Sequence, residues 1–184
     1  MDLAVPGIYK EGGRFVIVPE SRLNYFPYIG CIFIHIPKAG GTSVSAYLTQ
    51  LDEYLRMHGV SKKFDVPTGA YRKHIKGVGH RDGFAKDIWL KSFKFCIVRN
   101  PFDQMVSSYY WWLQKAPGLK SEQFRQISRS VHSLGDFNQF IDSELGSQYI
   151  NNWKGNPEDW FLDETGVDIV DFIVKQLVTK PEAV

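Results

Sequence analysis

The chain has 184 residues, of which 43% are hydrophobic and 23% are charged, an ordinary globular composition. A chain of this length can bury a full core without disulfides or a structural metal, and we predict one domain over residues 1–184. The net charge of +2 excludes a protein that binds polyanions with its whole surface, so no nucleic-acid partner is expected.

The charge is unevenly distributed along the chain. Residues 56–99 carry eleven lysines and arginines against three acids, whereas residues 136–171 carry nine acids against one base. The basic segment is therefore either a solvated surface or a surface for an anionic ligand.

The two cysteines and the apolar runs bear on where the protein works. Cys31 and Cys96 lie in apolar runs without metal-ligand spacing, so we predict buried free thiols, a reducing compartment and no metal. The N-terminus lacks the pattern of a signal peptide, and no apolar run approaches the roughly 20 residues that span a bilayer. We expect a cytoplasmic protein with no membrane span; a secreted or lumenal fragment of a longer anchored chain is the alternative.

The first part of the chain predicts a hairpin, a strand and a helix, in that order. Residues 7–18 have a hairpin pattern around a Gly-Gly pair. Residues 31–36 are an almost unbroken apolar run, which is typical of a strand buried on both faces. Apolar residues then recur at helical spacing until Gly59, which gives a stop. The residues on this helical face are Val44, Leu48, Leu51 and Leu55.

The same order recurs after a long crossover. Residues 60–92 predict loops and one short helix, and residues 93–98 predict a second buried strand. A helix follows from Pro101, which suits a first helical turn, to about residue 115. Two strand–loop–helix units joined in this way predict an α/β fold with a parallel sheet.

The last third of the chain has weaker signals. Asp136 is a predicted N-cap for a helix through residue 145, and Phe137, Phe140 and Ile141 are its predicted inward residues. Residues 167–178 fit either a strand or a helix.

The turn between the first strand and its helix has the residues of a phosphate-binding loop. Gly40 and Gly41 permit a tight turn and a close approach of backbone amides to an anion. Thr42 and Ser43 add hydroxyl donors at the helix start, where the helix dipole favours phosphate, and Lys38 adds a cation. The alternative is a sharp Gly-Gly turn with Thr42 as an ordinary N-cap.

The position of the lysine separates this loop from a Walker A motif, in which the lysine follows the glycines. The segment HIPKAGGTS resembles the 5′-phosphosulfate-binding loop of the sulfotransferases, particularly the branch of the carbohydrate sulfotransferases and their bacterial relatives. The resemblance implies a P-loop-NTPase-like three-layer fold with a central parallel sheet flanked by helices. It also implies that the donor PAPS (3′-phosphoadenosine-5′-phosphosulfate) is bound by His35, Pro37, Lys38, Ala39, Gly40, Gly41, Thr42 and Ser43.

A second segment extends the resemblance. Residues 93–112, FKFCIVRNPFDQMVSSYYWW, are similar to the family's 3′-phosphate-binding segment, and the arginine and serine of that segment match Arg99 and Ser107. A guanidinium can hold a phosphate bidentately, and the carboxyl end of a parallel strand faces the ligand crevice. Because ATP lacks the 3′-phosphate, this pair would select PAPS. The alternatives are a salt-bridged arginine and a serine that bonds to its own helix backbone.

The resemblance implies in-line transfer of the sulfuryl group from PAPS to an acceptor hydroxyl or amine, leaving 3′,5′-ADP. Lys38 would stabilise the leaving phosphate oxygen. An alcohol acceptor needs a general base, and His74 and His80 both lie between the two motifs, with the spacing favouring His74. His35 is expected to orient the loop or to contact the ligand.

The sequence leaves the acceptor and the oligomeric state open. The family branch suggests a carbohydrate or another small acceptor, and the aromatic run 109–112 belongs either to the core or to an acceptor cleft. After residue 173 the sequence departs from the family pattern, so a C-terminally shortened domain is an alternative. Two other functions are a relative that binds PAPS or 3′,5′-ADP without transfer, and a nucleotide kinase-like phosphotransferase.

Overall fold

The computed structural model describes residues 8–11, 14–17, 24–64, 74–114, 118, 120–148 and 156–176. These residues form two compact units. The sheet unit contains the described parts of residues 1–97 and 158–175, and the helical unit contains those of residues 98–157 together with residue 176. The single domain over residues 1–184 stays a prediction.

The described strands form two sheets. The predicted hairpin is confirmed, because β1 (Ile8–Glu11) pairs antiparallel with β2 (Arg14–Ile17). The second sheet has the order β3-β4-β5-β6, in which β3 is antiparallel to β4 and β4 is parallel to β5. Its strands are β3 (Tyr25–Phe26), β4 (Cys31–Ile34), β5 (Phe93–Val98) and β6 (Phe172–Lys175).

The helices are divided between the two units. Those of the sheet unit are α1 (Gly41–Met57), α2 (Gly77–Gly83) and α3 (Lys86–Lys91). Those of the helical unit are α4 (Pro101–Gln114), α5 (Glu122–Ser133), α6 (Phe137–Asp142) and α7 (Glu144–Gln148). Within the described ranges, none is long and apolar enough to cross a membrane.

Strand β4 is the centre of the sheet unit, and all four of its residues are buried. On one face of the sheet, Cys31 and Phe33 form a core with Phe26, against which Val44 and Leu48 of α1 pack. Val44 and Leu48 are the first two residues of the apolar stripe predicted for the helix, and both meet this face because side chains at i and i+4 lie on one side of an α-helix.

The opposite face of β4 is covered by a second helix. A Cβ atom on Gly77, the first residue of α2, would lie 3.2 Å from Ile34 Cδ1 and 2.6 Å from Ile169 Cδ1. Helix α2 therefore starts in close contact with the sheet, which lies between α1 and α2. The predicted α/β fold, with a central, mostly parallel sheet flanked by helices, is confirmed.

The core of the helical unit is aromatic. Tyr109 and Trp112 of α4 are buried together with Val131 of α5 and Phe140 of α6, whereas Tyr110 is 51% exposed. Two of the four residues in the aromatic run are thus core residues, because successive helical positions point to different sides of the helix.

The helix predicted from Asp136 through residue 145 is wrong in length. The cap is confirmed, because the Asp136 carboxylate accepts a hydrogen bond from the Gln139 amide at 2.8 Å. The helix ends at Asp142, and the Ser143 hydroxyl accepts from the Gly146 amide at 3.0 Å, so that it caps α7 instead. Ile141, predicted to point inward, is 36% exposed.

Candidate active site

The loop that follows β4 has an unusual backbone. Lys38 has a φ of 63° and Gly40 a φ of 77°, so both lie in the left-handed region. For a residue with a side chain this conformation costs on the order of 1 kcal/mol, and such strain is concentrated at functional sites. Pro37 and Ala39, on either side of Lys38, are buried and hold the loop against the unit, while Lys38 is partly exposed.

The loop leads into α1, and no acidic side chain in the first turn of this helix offsets the partial positive charge of its N-terminus. Gly40 is the N-cap residue, no side chain caps the helix, and its first turn contains no acid. The alternative in which Thr42 is the N-cap is therefore wrong. Thr42 and Ser43 are exposed in the first turn, where the helix dipole attracts an anion.

The two glycines are required for different reasons. Gly40 needs its left-handed φ, which glycine adopts without a steric penalty. Gly41 is needed because a Cβ atom at this position would overlap the imidazole ring of His35. The pair therefore combines a backbone requirement with a packing requirement, and only the first follows from turn chemistry.

His35 lies beneath the first turn of α1. Its side chain is 2% exposed, and its Nδ1 lies 3.5 Å from the Ser45 hydroxyl oxygen. Its ring also contacts the ring of His74 edge to face, with 4.6 Å between the ring centroids. His35 thus touches both α1 and one of the two predicted bases.

His74 is exposed and lies beside His35, the first residue of the loop that follows β4. Its Nδ1 lies 3.1 Å from the backbone carbonyl oxygen of His35. Because a carbonyl oxygen can only accept, Nδ1 carries the proton, and Nε2 is the basic nitrogen of the neutral ring. The structure therefore brings His74 to the loop that contains Lys38.

The environment of His80 is the opposite. Its ring is 0% exposed, stacks against Phe84 and lies 3.5 Å from the Asn24 side-chain amide nitrogen. Burial lowers the pKa of His80 to about 4, so its imidazole is neutral over the physiological range. His80 is a core residue of the sheet unit.

Arg99 and Ser107, the two predicted residues of the second segment, lie in the helical unit. Arg99 directly follows β5 and is partly buried, and Ser107 is partly buried in the middle of α4. The next residue, Ser108, bonds to its own helix, because its hydroxyl donates to the Gln104 carbonyl at 2.7 Å. Asn100 caps α4 by accepting from the Phe102 amide at 2.9 Å, and so fixes the helix start next to Arg99.

A cavity of about 350 Å³ lies on α5, away from both predicted motifs in sequence. Two of its lining residues, Arg125 and Arg129, form ion pairs with Glu122. Exposed pairs of this kind on one helix are ordinary surface interactions, so the cavity adds no residue to the candidate site.

Two residues that lie next to predicted site residues, Ser45 and Asn100, were not predicted as part of the site. Ser45 lies one turn into α1, and the only signal for it was the spacing that places it on the side facing His35. Asn100 carried a visible signal, since Asn before Pro at a helix start is a favourable cap.

The fold and this loop define a class: α/β proteins in which a strand, a glycine-containing loop and a helix form a P-loop-like unit. A sequence model of the sulfotransferase family matches residues 21–162, which is more than half of the chain. The chain therefore belongs to the sulfotransferase family, whose enzymes are PAPS-dependent transferases, and the resemblance stated from the two motifs is confirmed. No curated protein and no solved structure matches the chain.

Proposed function

We propose that the chain transfers the sulfuryl group of PAPS to a hydroxyl or amine of a carbohydrate or another small acceptor. Membership of the family implies PAPS as the donor and an acceptor substrate. The residue roles rest on one arrangement in the sheet unit. The exposed His74 contacts the loop that contains Lys38 and leads into the N-terminus of α1. The cytoplasmic location stays a prediction from the sequence.

The donor set of the loop fits a phosphosulfate. It combines the Lys38 ammonium, the hydroxyls of Thr42 and Ser43 and a helix start without acids, which are groups that attract an anion. PAPS supplies a sulfuryl group on a phosphate leaving group. In this proposal Lys38 stabilises the negative charge that develops on the leaving oxygen, while the hydroxyls and the amides of Gly40 and Gly41 hold the 5′-phosphate.

Arg99 and Ser107 are proposed to bind the 3′-phosphate. A guanidinium fork matches a phosphate in geometry and charge, and a partly buried position strengthens the interaction. Since this phosphate is absent from ATP, the arginine would set the choice of nucleotide.

We assign the general base to His74 and not to His80. His74 is exposed, and its tautomer leaves Nε2 to accept a proton from the acceptor hydroxyl. His80 is fully buried, with a pKa lowered to about 4, so its imidazole neither reaches an acceptor nor is a strong base.

Transfer of ³⁵S from labelled PAPS to a panel of sugars, phenols and steroids tests the proposal, with a thermal-shift assay in parallel. Lys38→Ala and Arg99→Ala should each lower transfer at least about 100-fold, because the removal of one group that stabilises developing charge typically has an effect of this size. The matched controls are the exposed Lys91→Ala and Arg56→Ala, which should keep near-normal activity.

The outcomes separate the competing functions. Stabilisation by 3′,5′-ADP but not by ATP with Mg²⁺, together with label transfer, supports the proposal. Stabilisation by 3′,5′-ADP without transfer to any acceptor would indicate a non-transferring relative. Stabilisation by ATP with Mg²⁺, or near-normal transfer by Lys38→Ala, would overturn the assignment.

A further inference from the structure

We infer that His35 is a positioning residue, whose buried side chain orients the base His74 relative to the phosphate loop. The inference rests on the proposed function, because it concerns the same reaction. It assigns to His35 a role through His74 and not through contact with the donor.

The first support is the way in which His35 holds His74. The two imidazole rings meet edge to face with centroids 4.6 Å apart, and the His35 carbonyl oxygen lies 3.1 Å from His74 Nδ1. The backbone contact fixes the tautomer, and the ring contact restricts rotation of the His74 ring about its side-chain bonds. An exposed histidine without such contacts would sample several rotamers, only some of which present Nε2 to an acceptor.

The second support is that the His35 ring is itself fixed from the other side. It is 2% exposed, its edge lies so close to Gly41 that a Cβ atom would overlap it, and its Nδ1 lies 3.5 Å from the Ser45 hydroxyl oxygen. It also packs against Phe33 of β4, with 5.4 Å between the ring centroids. A ring confined by the strand and by the first turn of α1 is a rigid support for the exposed residue that it touches.

In this inference His35 is neither the base nor a ligand of PAPS. The ring nitrogen Nδ1 points to Ser45, and the ring edge faces the backbone of Gly41. The side chain therefore acts mainly by its shape. We expect a phenyl ring at position 35 to preserve much of this support, whereas a methyl group cannot.

A double-mutant cycle tests the inference. We expect His35→Ala to lower kcat about tenfold and to change KM for PAPS less. A tenfold loss is smaller than the loss of a general base, because His74 would still be present but less well oriented. His35→Phe should recover most of the lost kcat. In a His74→Ala background, His35→Ala should change kcat less than about twofold, because residues that act through one another are not additive.

Two results would overturn the inference. One is an equal loss of kcat from His35→Ala in the presence and absence of His74. The other is a loss confined to KM for PAPS and not recovered by His35→Phe, which would make His35 a donor-binding residue.

A measurement without turnover separates this inference from the proposed function. Imidazole ¹⁵N NMR of the intact chain should give the Nδ1–H tautomer for His74. In His35→Ala the backbone carbonyl remains, but the ring contact that keeps His74 against it is lost, so we expect a mixture of tautomers, with His35→Phe close to wild type. An unchanged His74 tautomer in His35→Ala contradicts the inference even if the enzyme is active. Absence of transfer by the wild type, with the predicted NMR change, contradicts only the proposed function.

Discussion

The burial of His80 makes the stability of this protein sensitive to mild acid. The ring is 0% exposed, and within the described residues its Nδ1 has no hydrogen-bond partner, so a proton added to the folded chain would create a buried charge. The perturbation is a shift from pH 7.5 to pH 5. The comparison is between the wild type and His80→Leu, which fills a similar volume and does not titrate.

The magnitude follows from proton linkage. Burial lowers the pKa of His80 from 6.5 to about 4 in the folded chain, so the unfolded chain binds the proton first as the pH falls. The free energy of unfolding contributed by His80 is then present above pH 6.5 and is lost as the pH falls from 6.5 toward 4. Between pH 7.5 and pH 5 the loss is about 2 kcal/mol.

Urea unfolding followed by tryptophan fluorescence at pH 7.5, 6.5, 5.5 and 5 measures this loss. The wild type should lose about 2 kcal/mol more than His80→Leu between the extremes, whatever the absolute stability of the variant. His132→Leu removes an exposed imidazole and serves as the control for the replacement of a histidine by leucine. Equal pH dependence of the wild type and His80→Leu would refute the reasoning.

Two further predictions concern the thiols and a helix cap. Burial raises the pKa of both Cys31 and Cys96 to about 12, so neither should react with DTNB at pH 8 in the native chain, and both should react in guanidinium; fast native reaction would contradict their burial. Asp136→Ala should lower the free energy of unfolding by about 1 kcal/mol in urea titrations, because the Gln139 amide loses its partner. Asp142→Ala, an exposed position in the same helix, is the control, and equal effects of the two variants would count against the cap.

Local chemistry made several elements predictable. Residues 93–98 were predicted as a strand and match β5, because an apolar run with a following Asn-Pro leaves few alternatives. Gly59 was predicted to stop α1 and has a φ of 74°, a conformation that glycine accepts readily. Both thiols were predicted to be buried and free, and both are.

Other features depend on contacts between distant parts of the chain. The break at Ser143 was missed, since the pattern of apolar residues continues through it and only the Ser143 hydroxyl reveals a new cap. Residues 167–178 were ambiguous, and the strand β6 within them is selected by pairing beside β5. The secondary-structure propensity of a segment contains no information about such partners.

The sequence by itself determined the family, and the order of Lys38, Gly40 and Gly41 predicted a strand-to-helix turn and excluded the Walker A arrangement. It did not separate His74 from His80, since both lie in the same basic segment and have the same chemistry. Only the tertiary structure decided between their environments, leaving one exposed against the His35 carbonyl and burying the other beside Phe84. The physical reason is that basicity and access depend on solvation and on hydrogen-bond partners, which the folded chain supplies from positions far away in sequence.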